Sequence, residues 1–338
     1  MKNARPTPTI DRPNQVDALR DHLETTLPQF ESLPGVVGVT LNGGLARGYG
    51  DDLSEIDVTL YLTDDHHDAW MAGRAPIATG ITVVDGHLYD IAIERIEAFE
   101  SGDWSETERW DRSYAEVLFD PDERLADAFE QHLGSPPGLD RAEGLLFDCW
   151  WHFELTAGCW IHRGDAVQAH YVLDAAVEPL IKALFAVNDA YLPHDKWLVN
   201  LSRSLEWHPD AWETRLQSAL ASGTGSMDAV TDRRAVIESL WDDIDRYAHG
   251  KADEDVPVRM MQRTFYRALA RLVDEQRVPY DEWDETFGAR LLAMDPFAAV
   301  AQVEDDAVSL NADALADLTA DEMYDWHYQV VDAVRQRD

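Results

Sequence analysis

The chain has 338 residues and a formal net charge of −37 at pH 7, from 65 Asp and Glu against 28 Lys and Arg. Its 45% hydrophobic content and 12 Trp exclude an acidic disordered chain, and its acidity disfavours nonspecific nucleic-acid binding, which needs Lys and Arg to neutralise phosphates. The length suggests two domains, and an excess of carboxylates with only four lysines is the composition expected of a halophilic protein, whose surface repulsion is screened by molar salt.

In chain order, residues 15–30 carry a helical pattern. Val36 to Leu41 predicts a strand ending at Gly43-Gly44, and residues 56–62, rich in Ile, Val, Thr and Tyr, predict a second. The turn between them holds Arg47 and Ser54, placed where backbone N–H groups, a guanidinium and a hydroxyl can meet phosphate oxygens. Glu55 and Asp57 are two apart, so on a strand they share a face at roughly 7 Å spacing. Such a pair repels unless a cation sits between the two, and oxygen ligands suit Mg²⁺ bound together with substrate phosphates. The layout is one for holding a metal-bound triphosphate. Residues 81–84 and 88–93 read as strands joined by a hairpin at Asp85-Gly86-His87. Asp90 falls inside the second, where a buried strand would not place an unpaired charge. A helix over 105–117, a short strand at Val117-Leu118-Phe119 and a helix to about Leu133 follow.

Gly134-Ser135-Pro136-Pro137-Gly138 is the clearest linker, because paired prolines and flanking glycines break both regular structures. Beyond it, residues 140–163, 165–190, 195–206, 210–222, 227–249, 255–277 and 319–336 carry apolar residues at helical spacing, with a turn at Gly223-Thr224-Gly225-Ser226. Residues 278–318 are irregular and acidic. Glu178 and Lys182 stand one helical turn apart inside an apolar run, and Lys196 opens a proline-bounded, aromatic stretch. Cys149 and Cys159 read as buried thiols in a reducing compartment, and Trp150, Trp151 and Trp160 as core residues. The N-terminus lacks the apolar core of a signal peptide and no apolar run reaches about 18 residues, so the expectation is a cytoplasmic protein without membrane association.

On Gly43-Gly44, the following short helix and the Glu55-x-Asp57 pair opening a strand, residues 36–95 resemble the nucleotidyltransferase superfamily of polymerase-beta-like fold. The resemblance implies a third carboxylate from a neighbouring strand, here Asp90, with Glu55, Asp57 and Asp90 holding two Mg²⁺ ions. The first acidic position of the family is usually Asp and here is Glu55. ATP would be the donor and AMP the group moved to a hydroxyl of an acceptor. The helical half is similar to that of small-molecule nucleotidyltransferases such as the aminoglycoside-modifying ones, implying Glu178 as general base and Lys182, or alternatively Lys196, as phosphate contact. The implied fold is α+β: a mixed-sheet catalytic domain over 1–135 and an all-α domain over 139–338. Two other readings stand beside it: a nucleotide-binding or antitoxin-like module without turnover, and an RNA-acting protein, since Arg163 and His170 fit the loose Arg-x(4–6)-His pattern of HEPN-type ribonucleases. The acceptor stays open among an antibiotic, a metabolite, a protein side chain and an RNA end.

Overall fold

Alternation of apolar and polar residues builds a five-stranded sheet from β1 (Val36–Leu41), β2 (Ile56–Leu62), β3 (Gly80–Val84), β4 (His87–Arg95) and β5 (Glu116–Phe119). The computed structural model describes residues 5–221, 224–253, 255–319 and 325–337. The fold is α+β. Strand order is β3-β4-β2-β1-β5, with β2 and β4 parallel and the other pairs antiparallel. The β3–β4 hairpin turns through Asp85 and Gly86, both at positive φ, which is the backbone a tight two-residue hairpin requires. One face of the sheet carries Ile56, Val58 and Leu60 from β2 with Tyr89 and Ile91 from β4, and packs with Leu23 and Phe30 of the helix Val16–Glu31. The same period of two leaves the opposite face to Asp57, Thr59 and Tyr61 on β2 and to Asp90, Ala92 and Glu94 on β4.

The chain divides into two units. The first runs to Gly138, where the expected linker lies, and also takes Leu184–Glu213. This corrects the assignment of 139–338 to one helical domain. The reason is specific bonding: the Asn200 side chain accepts from Thr9 N–H at 3.0 Å and donates to Thr9 C=O at 2.8 Å, Ser204 Oγ donates to Thr7 C=O at 2.7 Å, and Tyr191 O–H donates to Gly134 C=O at 2.9 Å.

The second unit, Leu139–Ala183 with the chain from Thr214 onward, is mainly helical, but it is not all-α. Short strands β6 (Arg277–Pro279), β7 (Ala301–Glu304) and β8 (Ala307–Leu310) form an antiparallel sheet in the order β6-β8-β7, inside the stretch that reads as irregular. It belongs to a core with Leu269, Leu272, Trp283, Phe297 and Val331. The helix expected over 255–277 begins only at Arg263, because Pro257 cannot donate within a helix. Of the turn expected at Gly223 to Ser226, Gly223 lies outside the described residues, and Ser226 caps the helix Met227–Lys251 by accepting from Ala229 N–H. Residues 320–324 of the last expected helix also lie outside them, and the helix described is Asp325–Arg335. Cys149 is buried as expected, whereas Cys159 is half-buried. Among the described residues no helix is long and apolar enough to cross a membrane.

Candidate functional site

The site begins where β1 ends. Asn42 N–H donates to Asp57 C=O at 2.9 Å, and the chain turns through Gly43 at φ 65° into the short helix Gly43–Ala46. A Cβ on Gly43 would lie 1.8 Å from Asp57 Oδ2, so the turn can hold only glycine while the carboxylate rests against it. Asp57 is aligned with Asp90 across the parallel β2–β4 pair, which puts both carboxylates on one face of neighbouring strands. Burial, first, and then the charges of Glu55, Asp90 and Asp111 push the Asp57 carboxyl up to about 6, with Arg47 acting in the opposite direction.

Both acids line a cavity of about 440 Å³, within the range of small-molecule sites. Its floor is the sheet face with Thr59, Tyr61 and Glu94, and its walls come from the helices Glu106–Tyr114 and Asp195–Ser202. An adjoining chamber of about 210 Å³ is lined by Gly44, Ser54 and Glu55, and the two share Gly43, Arg47, Asp57, Lys196 and Trp197. Glu55 therefore faces the smaller chamber and Asp90 the larger, with Asp57 common to both.

Arg47 is buried. Its guanidinium carbon lies 4.9 Å from the ring centroids of both Trp110 and Trp197, and Nη1 donates to Asp111 at 2.8 Å. Its Nε–H is buried and has no partner among the described residues, which leaves one donor for an anion at the junction of the two chambers. Arg112 is fixed likewise, stacked 4.4 Å from the Trp104 centroid and bonded to Glu94 at 2.9 Å. Burial raises the Glu94 carboxyl, and Arg112 offsets part of that. Ser54 caps its own loop: its Oγ accepts from Asp51 N–H at 2.9 Å and donates to Asp51 Oδ1 at 3.2 Å.

The two candidate lysines separate. Lys196 lines both chambers and makes no ion pair among the described residues. Lys182 is bonded to Glu178 at 2.5 Å on the helix Ala166–Val187, in the part of it assigned to the second unit. In that unit Arg163 is exposed with its guanidinium 4.7 Å from the Trp160 centroid, while His170 is buried, its Nε2 paired with Thr224 C=O and its own carbonyl accepting from Arg233.

Thr59, Tyr61, Glu94, Trp110, Asp111, Arg112, His194 and Trp197 were not foreseen at the cavity. Continuing the period of two from Asp57 and Asp90 along each strand would have found the first three. The others come from the helices Glu106–Tyr114 and Asp195–Ser202 and the His194 cap, whose helical pattern is in the sequence but whose position over the sheet is not.

The donor set is all oxygen on this acidic face, and the charge of Arg47 does not outweigh the burial and carboxylate repulsion that raise the Asp57 carboxyl, so its chemistry fits a hard divalent cation shared with phosphate oxygens. Among the described residues, however, no three His, Cys, Asp or Glu side chains are gathered closely enough to hold a metal ion together. The fit thus rests on the aligned pair Asp57 and Asp90, and Mg²⁺ commonly takes only one or two carboxylates plus substrate phosphates.

No family model matches the chain, and no curated protein matches it. Among solved structures it is similar to a nucleotidyltransferase-like protein from Exiguobacterium sibiricum 255-15, at 12% identity and a TM-score of 0.41, over 86% of this chain and 98% of that one.

Proposed function

We propose that the first unit transfers a nucleoside monophosphate from a nucleoside triphosphate, ATP by default, to a hydroxyl acceptor, with release of pyrophosphate. The observation that carries this reading is the aligned, half-buried pair Asp57 and Asp90 beside a glycine turn that closes on Asp57. Asp57 and Asp90, with Glu55 reaching from the smaller chamber, would hold Mg²⁺. When bound, the metal would neutralise charge on the phosphates and lower the pKa of a coordinated hydroxyl.

The chain's own groups do the rest. Lys196 and the free Nε–H of Arg47 bind phosphate oxygens at the junction of the chambers. Trp110 and Trp197 fix the Arg47 plane, so that this donor is in place before the substrate arrives. In the reaction the acceptor oxygen bonds to the α-phosphorus, the bond from that phosphorus to the bridging oxygen breaks, and the electron pair leaves with pyrophosphate. The hydroxyl proton passes to a carboxylate. Asp90 serves this role within the first unit, and Glu178 is the alternative base carried over from the resemblance.

A second reading, a nucleotide-binding module without turnover, is favoured by one feature: Glu55 stands in the smaller chamber and does not close a three-carboxylate cluster. One experiment separates the two. The protein is incubated with Mg²⁺ and labelled nucleoside triphosphates in molar KCl, with and without cell extract, and the products are weighed by mass spectrometry. Transfer that is lost in Asp57→Asn supports the enzyme. Metal-dependent nucleotide binding without any product supports the module, and unchanged transfer in Asp57→Asn removes the site assignment altogether.

A further inference from the structure

The second unit holds a cavity of its own, of about 300 Å³, for which the proposed transfer has no use. Four aromatic side chains line it in two contacting pairs, Trp150 with Trp326 at 5.4 Å and Phe153 with Trp241 at 6.0 Å between centroids. Trp150, expected in the core, is half-exposed at this cavity. The polar lining is chiefly acidic: Glu154, Glu238 and Asp242 against a single cation, Arg259.

Two of these acids are already compensated. Glu154 is ion-paired with Arg234, and Asp242 with Arg259 at 2.5 Å. Glu238 makes no ion pair among the described residues. It stands one helical turn from Asp242 on the helix Met227–Lys251, where two like charges repel. The cavity therefore keeps one carboxylate in excess beside electron-rich rings.

The chain itself shows how such a wall receives a cation. The Arg259 guanidinium lies 5.0 Å from the Trp241 centroid while it pairs with Asp242, so one ring and one carboxylate share one positive charge. Trp150, Trp326 and Glu238 supply the same two components again. An anion would meet the excess negative charge, and a neutral apolar molecule would strip water from carboxylates without replacing it.

We propose that this cavity binds a small organic ammonium ion, the rings taking its alkyl groups and Glu238 its charge. The test is calorimetric titration of the full chain with choline chloride, exchanged against KCl at constant ionic strength. The control ligand is 3,3-dimethylbutan-1-ol, which has the same shape without the charge. The expected result is saturable one-site binding of choline, with the alcohol at least about tenfold weaker. Glu238→Gln and Trp150→Ala should each weaken choline about tenfold, and both positions are exposed enough to leave the fold intact, which a melting curve verifies. Failure of choline to saturate, equal binding of the alcohol, or undiminished binding in Glu238→Gln would overturn the proposal.

Discussion

Asp57 is a group whose protein environment works against its own charge. Its carboxyl is raised from 3.8 to about 6, chiefly by burial and then by Glu55, so the folded state holds a proton more tightly than the unfolded one. The penalty is absent below about pH 4, where both states are protonated. It grows as pH rises to about 6 and is complete above that, where it amounts to about 3 kcal/mol. Asp57→Asn removes the charge at almost constant volume, so in EDTA this variant should melt higher than the parent at pH 8 and equally at pH 4, while losing transfer at every pH. Mg²⁺ should raise the melting temperature of the parent and not of the variant, by preferential binding to the folded state. Equal melting of the two proteins at pH 8 would remove the electrostatic account. Gly43 is coupled to the same carboxylate. Gly43→Ala adds a Cβ that meets Asp57 Oδ2 at a backbone φ of 65°, and should cost about 1–3 kcal/mol in denaturant unfolding together with transfer activity.

At the scale of elements, the strands of the large sheet and the helices Glu106–Tyr114 and Asp195–Ser202 were legible, but not the packing of those helices over the sheet. The alternation in β2 and β4 determines which side chains share a face, and the Asp85-Gly86 turn announces its hairpin, so Asp57 and Asp90 can be placed together from sequence. The β7–β8 hairpin carries no such sign: its turn residues Asp305 and Asp306 both adopt positive φ without a glycine, between strands of four residues. The return of Leu184–Glu213 to the first unit was equally hidden, since it depends on bonds from Asn200 and Ser204 to residues nearly 200 positions away, such as Thr9 at a separation of 191. Under the proposed function, that return favours one lysine as the phosphate contact. The helix Asp195–Ser202 brings Lys196 to both chambers beside Trp197, whereas Lys182 is occupied by Glu178. Lys196→Ala should weaken Mg·ATP about tenfold, the loss of one charge-assisted contact, and Lys182→Ala should weaken it less. Calorimetry on the two variants checks this, and the reverse order would return the phosphate role to Lys182 and strengthen Glu178 as the base.

The whole molecule carries −37, and most of its ion pairs have at least one exposed partner, as in Arg95 with Asp68 and Arg337 with Asp274. Pairs of this kind contribute little each, about 0–1 kcal/mol, and salt weakens them. Long-range repulsion among the unmatched carboxylates acts in the opposite sense, because salt relieves it. The two effects part company above physiological ionic strength. The Debye length is about 8 Å at 0.15 M and about 3 Å at 1 M, so over this range repulsion between carboxylates spaced closer than the longer length but farther than the shorter is suppressed, while ion pairs in direct contact are screened less. We therefore propose that the acid coat is an adaptation to molar salt and not a ligand-binding feature. The melting temperature should then rise continuously with KCl from 0.15 M to beyond 1 M, and choline chloride at equal ionic strength should reproduce the rise apart from any contribution of binding in the second unit. The increment should persist in Asp57→Asn, since one carboxylate among 65 acidic residues hardly changes the total. A melting temperature flat above 0.15 M KCl would mean that the surplus carboxylates are too far apart to repel, and would take the solvent explanation with it.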